Sequence, residues 1–312
     1  MTTVRGARER ARSEITAAIK EEARRQLAAE GAAKLSLRAV ARELGMVSSA
    51  LYRYFPSRDD LLTALIVDAY DAVGAAAEAA AAVRGPAPAA PAGHAPAVAG
   101  RPDGPGPDAA TPAGHAPTAA ARTDAPGPEA TAAAGVLSDG DGVAAGAAGG
   151  NAGVRDRTTV APGREFARWG DVCRGVRDWA LAHPHEYALI YGSPVPGYTA
   201  PQDTIAPASR VGAVFISIVR EAHRTEGLAV PPLGGGVRTE AERVAAAFAP
   251  DLPPSVVAAL IAAWAQLFGL ISFELFGQFE RVVEDRDAFF AHAAARLAAE
   301  VGLRPGPAVG TP

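Results

Sequence analysis

At 312 residues the chain could hold two ordinary domains, but its 49% hydrophobic content is carried largely by alanine, and its 33 Gly and 26 Pro crowd into one region, which argues against a single large core. The net charge of −4 hides an asymmetry: residues 1–70 carry twelve Lys and Arg against nine Asp and Glu, about +3, leaving about −7 for the rest, as expected when one end meets nucleic acid. Cys173 is the lone cysteine, which excludes an internal disulfide framework and suits a reducing cytosol; there is no apolar run of eighteen residues, so no membrane span is indicated, and MTTVRGARERAR lacks the apolar stretch of a secretory signal.

A spacing of four puts Ile15, Ile19, Ala23 and Leu27 on one stripe of a first helix over about 8–30, with Gly31 as its stop. A short segment with Leu37, Val40, Ala41 and Leu44 apolar follows, then a turn at Gly45 and a second short segment at 48–55. Two helices joined by a tight Gly-containing turn form the unit that sets its second helix into the DNA major groove. Ser36 and Ser48 are placed to cap these helices. Ser57 with Asp60 makes a capping-box pattern that opens a fourth helix through Leu61, Leu62, Leu65, Ile66 and Ala69 to about Val83. At 1.5 Å per residue that helix is roughly 40 Å long, enough to link two bodies.

Between 84 and 162 the composition shifts to Ala, Pro, Gly, Thr and Asp, and PAGHAP occurs at both 91–96 and 112–117. Such a stretch buries too little apolar surface to offset its conformational entropy, so disorder is expected. Lengthening a loop to this size costs only ~2–3 kcal/mol of closure entropy, so the folded parts tolerate it. His94 and His115 read as repeat copies rather than metal ligands.

Helical spacing resumes near Arg164 with Phe166, Trp169, Val172, Cys173, Val176, Trp179 and Ala180, and ends at His183-Pro184. A short helix at 185–191 leads into the loop GSPVPGYTAP, and further helices are expected over about 204–226, 255–279 and 286–301. No alternating strand pattern appears. The expected fold is all-α: a helix-turn-helix DNA-binding domain at 8–60, a connecting helix at 57–83, a disordered insertion at 84–162, and a ligand-binding and dimerisation domain at 163–304.

Within the helix-turn-helix, the start of the second helix meets base edges, which selects Ser48, Ser49 and Ala50. Serine hydroxyls serve most bases, and an alanine methyl can touch a thymine methyl. Tyr52, Tyr54 and Arg58 are expected along the groove wall on phosphates, with Arg38 projecting from the preceding helix; Ser36 and Arg53 complete the candidate set. The basic arm Arg5–Arg12 could track the backbone or enter the minor groove. The competing reading is a helical hairpin whose tyrosines cover its core. Leu51 and Phe55 are core in either case, but Tyr52, Arg53 and Tyr54 in succession cannot all point inward.

GMVSSALYRYFPSRDDLL is similar to the recognition segment of tetracycline-repressor-like (TetR family) regulators, and the similarity extends over about 12–70. Gly45, Leu51, Tyr52, Phe55, Leu61 and Leu62 fall where that pattern places them. Arg58 stands where the family usually has a phosphate-binding lysine, Tyr54 where many members have histidine, and Ser49 where lysine or proline is common. The resemblance implies a homodimer on a palindromic operator, repressing transcription until a ligand releases it. Residues 169–203 with AWAQLFGLISFELFGQF at 263–279 resemble one C-terminal subclass with a Trp…His-Gly signature. Trp264 and Gly269 match it, Phe268 takes the histidine place, and the insertion departs from the family's short loop.

Apolar residues nearly all round the segment at 255–279 imply burial on every face, one against the domain core and another, with 286–301, against a second copy. Trp169, Tyr187, Tyr191, Tyr198, Trp264 and Phe268, with Trp179 and Phe215, are candidates to line an effector site, and each also suits an ordinary core. His183, His185 and Glu186 suggest a zinc site, but a proline separates the histidines and no third ligand is spaced to match, so neither metal, cofactor nor catalytic residue is expected. Cys173 lies on the apolar side of its helix. A helical-bundle enzyme built on His183–Glu186 leaves Tyr52, Tyr54 and the basic arm unexplained; a DNA-binding protein without effector is the other alternative.

Overall fold

In the computed structural model, which describes residues 2–83, 163–225 and 227–306, the regular elements are helices. Among the described residues no strand forms, and one isolated bridge pairs Leu228 with Leu303, fastening the chain after the last helix to the loop near 228. The disorder expected for 84–162, with both PAGHAP copies, concerns residues outside the described ones.

The first helix, α1 (Thr2–Glu30), starts earlier than expected, so the basic arm is its opening turns rather than a separate extension. No proline interrupts it, and Gly6 alone lowers helix stability by only ~1 kcal/mol. Gly31 stops it at φ 79°. Then come α2 (Leu37–Glu43), α3 (Ser48–Leu51) and α4 (Arg58–Ala82). Ile19, Ala23, Leu27, Leu37, Val40, Leu51, Phe55, Leu61, Leu62 and Leu65 bury together into one small core. Ser57 caps α4 as expected: its hydroxyl accepts from Asp60 N at 3.1 Å, and it donates to the Asp60 carboxylate at 2.7 Å.

A second, larger core takes over midway along α4, from Ala69, Val73, Ala77 and Ala81. Around it pack α5 (Arg164–Ala182), α6 (Pro184–Tyr191), α7 (Ile205–Arg224), α8 (Arg238–Phe248), α9 (Pro254–Leu275) and α10 (Arg286–Val301). Pro184 lacks a donor and forces His183 out of the helical region (φ −130°, ψ 56°), which separates α5 from α6. Helix α7 approaches α4 closely because Gly74 has no Cβ; one would meet Arg210 Cβ at 2.8 Å. The Arg210 guanidinium then reaches Asp71 and Glu78 on α4, both at 2.7 Å, and these hydrogen bonds hold its pKa above the usual arginine value.

Two expectations need correction. Helix α9 ends at Leu275 rather than near 279, because Gly277 turns to φ 82° and the chain leaves the helix. Residues 254–271 are also free of charged side chains, so α9 is long and apolar enough to cross a membrane by length and composition, which the sequence reading missed through its Gln266 and small residues. Its buried side nevertheless carries Glu274, held by Arg177 of α5 through two 2.7 Å hydrogen bonds. Those bonds, with a 2.7 Å contact from Arg177 to Asp287 at the start of α10, keep the Arg177 pKa high.

Candidate functional site

The turn between α2 and α3 closes through backbone chemistry. Met46 N donates to Ala41 O at 2.8 Å and Gly45 N to Arg42 O at 3.1 Å, the paired bonds that end a helix when the next residue is left-handed; Gly45 supplies that at φ 64°. Ser36 opens α2 as expected, its hydroxyl accepting from Ala39 N at 3.5 Å. At α3 the expectation fails: Val47 occupies the cap position, Ser48 is the first helical residue, and no side chain caps the start. The regular helix is one turn long, tightened by bonds such as Tyr54 N to Leu51 O at 2.8 Å.

Leu51 and Phe55 anchor this turn in the core, at 0% and 7% exposure. Ser49, Tyr52 and Arg53 are exposed, while Ser48, Ala50 and Tyr54 are half-buried. Ser49 with Tyr52 and Arg53, three and four residues on, share one outward face. Arg38 is exposed on α2, and Ser36 is half-buried as a cap. Arg12 of α1 stacks over the Tyr54 ring, 5.6 Å from its centre, which fixes a side chain the sequence left free. Val47, 70% exposed directly before α3, is a candidate that sequence reasoning overlooked; an apolar residue directly before the Ser48-Ser49 pair was the available signal. Arg58 does not extend outward: its Nη2 donates to Ala32 O at 2.8 Å and lies 3.4 Å from Ala33 O.

In the second core, five of the six candidate effector residues join one aromatic run. Trp169 meets Phe215 (4.5 Å between ring centres), Phe215 meets Trp264 (6.5 Å), Trp264 meets Phe268 (4.6 Å), and Phe268 meets Tyr191 (4.1 Å) and Tyr187 (6.5 Å). The Tyr187 hydroxyl donates to Phe268 O at 3.0 Å and lies 2.8 Å from Ser272 Oγ. The Tyr191 hydroxyl and the Trp169 and Trp179 ring N–H groups are buried without a hydrogen-bond partner. Burial pushes the Tyr191, Tyr187 and Tyr70 phenols above their usual pKa, most strongly Tyr191. Tyr198 stands apart: its hydroxyl lies 2.9 Å from Thr63 Oγ1 on α4, and its ring packs on the first core. Trp179 stacks on His183 at 5.2 Å.

The cluster at 183–186 has other partners. His183 Nδ1 lies 2.9 Å from Trp179 O, and Glu186 binds Arg24 of α1 at 2.9 Å. Cys173 is fully buried, and burial pushes its thiol pKa up, which disfavours the reactive thiolate. On the far side of α9, Ile261, Phe273 and Phe276 are 45–53% exposed, and Phe273 with Phe289 of α10, 41% exposed, lines a groove of about 460 Å³ between α9 and α10.

Comparison with known proteins returns two family models, "Bacterial regulatory proteins, tetR family" over residues 19–65 and "Tetracyclin repressor-like, C-terminal domain" over residues 169–297. The chain is 33% identical over 285 residues to the HTH-type transcriptional regulators Rv1816 of Mycobacterium tuberculosis and Mb1846 of Mycobacterium bovis, covering 88% of this chain and 86% of each relative. The crystal structure of SCO4313, assigned as a regulatory protein, superposes with a TM-score of 0.60 at 25% identity, covering 93% of this chain and 98% of that one.

Proposed function

This chain belongs to the tetracycline-repressor-like (TetR) family of transcriptional regulators with a helix-turn-helix DNA-binding domain, and from that premise we propose that it acts in the cytoplasm as a homodimeric, ligand-relieved repressor on a palindromic operator. The domain division proposed with it is DNA binding over 8–60, a connecting helix at 57–83, the insertion at 84–162, and effector binding and dimerisation over 163–304.

The observation that carries the reading is the outward face of α3. Leu51 and Phe55 hold the turn from within, while Ser49, Tyr52 and Arg53 stand outside. Ser48, Ser49 and Ala50 are assigned to base edges, and Arg38, Tyr52, Arg53 and Tyr54 to phosphates, which position the protein without specifying sequence. Selection of bound duplexes from a random pool tests it: an enriched motif with two half-sites about one helical turn apart is expected, and no enrichment over non-specific binding refutes it.

The uncovered apolar side of α9, with Phe289 of α10, supports the second copy as partner rather than a bilayer, since α9's other side holds Glu274 in a buried ion pair and packs between α8 and α10. A two-fold interface there brings two recognition helices to two half-sites. The aromatic run with its unpartnered donors supports a flat, apolar effector that carries acceptors. No reaction is proposed for the chain.

A further inference from the structure

We infer that Arg58 is a positioning residue for DNA recognition, a strut that locks the helix-turn-helix from behind rather than a ligand of the DNA phosphates. This rests on α3 being the base-reading helix.

Arg58 opens α4 directly after the turn that leaves α3, and its guanidinium reaches back across 26 and 25 residues of chain to Ala32 O and Ala33 O. Those carbonyls belong to the single 3-10 turn Ala32–Lys34 that joins α1 to α2. Immediately beyond it lie Leu35, 3% exposed, and Ser36, the cap of α2. One planar cation therefore ties the entrance of the motif to its exit, with α2 and α3 held between. The turn also follows the carbonyl end of α1, where a cation is favoured and carbonyls lack helical partners.

The remaining surroundings disfavour an anion. Arg58 Nη1 lies 3.4 Å from Asp59 Oδ1, the Asp60 carboxylate sits one residue further on the Ser57 hydroxyl, and only 29% of the Arg58 side chain is exposed. A phosphate on Nη2 would have to displace two carbonyls, and one on Nη1 would approach two carboxylates. Arg53, five residues earlier, is exposed and meets neither obstacle. Both carbonyls are met by the one Nη2 at the tip of the side chain, so a lysine at 58 would keep the charge but not the contacts, because its stem is shorter and its ammonium is more strongly hydrated than a guanidinium.

The two roles separate in salt dependence. A side chain on a phosphate contributes about 0.9 to the slope of log affinity against log salt, whereas a strut contributes nothing to it and alters discrimination instead. The experiment uses the full chain, a duplex selected from a random pool by the wild type, and a scrambled duplex of the same composition. Affinities are read across a salt series well below the thermal midpoint of each variant. Expected for both Arg58→Lys and Arg58→Gln is a fall of ~10-fold in the selected-to-scrambled ratio with the salt slope unchanged, while Arg53→Ala lowers the slope by ~0.9 on both duplexes. The inference is overturned if Arg58→Lys behaves as wild type while Arg58→Gln lowers the slope by ~0.9, the signature of a phosphate ligand. It is equally overturned if both variants lower only the thermal midpoint and leave the ratio intact. Should Tyr52→Ala and Arg53→Ala both leave binding untouched, the assignment of α3 fails and takes this inference with it.

Discussion

Arg24 Nε on α1 lies 2.9 Å from Glu186 Oε1 on α6, while the same guanidinium holds Asp68 of α4 at 2.7 Å. Tyr187 and Tyr191, the next residues of α6 to turn inward, belong to the aromatic run, and Leu189 packs on the first core. Helix α6 therefore has one face on the proposed effector core and the other on the DNA-reading helices. With both side chains partly exposed (30% and 19%), the pair contributes only ~0–1 kcal/mol to stability, so Glu186→Gln should move the thermal midpoint by no more than ~2–4 °C. Its effect should appear in coupling. Phe268→Ala, which loosens the aromatic run, is expected to change operator affinity in the wild type and to do so less in the Glu186→Gln background, by ~1 kcal/mol in a double-mutant cycle. Additive effects would mean that α6 transmits nothing by this route.

Removing the Tyr52 side chain is expected to weaken binding by ~10-fold on every duplex alike, the loss of about one charge-assisted hydrogen bond. Replacing Ser49 with Ala, Asn or Lys should instead change which duplexes are enriched, since a base contact discriminates by ~1–3 kcal/mol. An unaltered enrichment profile across the Ser49 series would place the base-reading register elsewhere.

At 53% exposure, Phe273 contributes little to the fold of one chain, so Phe273→Glu should alter its thermal stability by ~0.5 kcal/mol or less. Buried against a second copy, the same carboxylate lacks a partner. Light scattering after size exclusion is expected to show the mass of a dimer for wild type and of a monomer for the variant, with operator affinity lost in parallel. A variant that stays dimeric moves the interface off this face.

Tyr191 carries a buried hydroxyl with no partner, a cost of ~1–3 kcal/mol that Tyr191→Phe removes, so the variant should be no less stable than wild type at neutral pH. Burial raises the folded-state pKa above the ordinary 10.0, so the folded protein keeps its proton while the unfolded chain gives it up. Stability present below pH ~10 is therefore lost as pH rises toward the folded value. Thermal midpoints measured from pH 7 to 11 should fall more steeply for wild type than for Tyr191→Phe; parallel curves count against the assignment of this tyrosine to a dry core.

What the sequence made legible was periodic or local. Ile15, Ile19, Ala23 and Leu27 announce α1, and Ser57 with Asp60 announces α4, because a helix stripe and a capping box are each written within a few residues. Helix α8 falls between the helices expected at 204–226 and 255–279 and is not announced by the sequence, since its buried positions are Ala241 and Ala245 and its large Phe248 is 57% exposed, so no apolar stripe marks it. Ser48 has the chemistry of a cap and lost that place to Val47, because the cap position depends on where the chain enters the helix. The distant partners of Arg58, Arg24 and Tyr198 lie 25 to 162 positions away, and no spacing rule reports such pairs.

Helix α4 gives Leu61, Leu62 and Leu65 to one core and Ala69, Val73, Ala77 and Ala81 to the other without a break in its hydrogen bonding. The two halves of this regulator thus share a wall rather than a hinge. A chimaera that keeps this sensor and borrows another DNA-reading head has to be spliced inside the helix, near Ile66 to Asp68, and the borrowed first helix has to bring bases at the places of Lys20 and Arg24 to meet an acid at 68. Cutting at the nearest exposed turn, before Arg58, would graft a head whose core is missing the leucines that fill it.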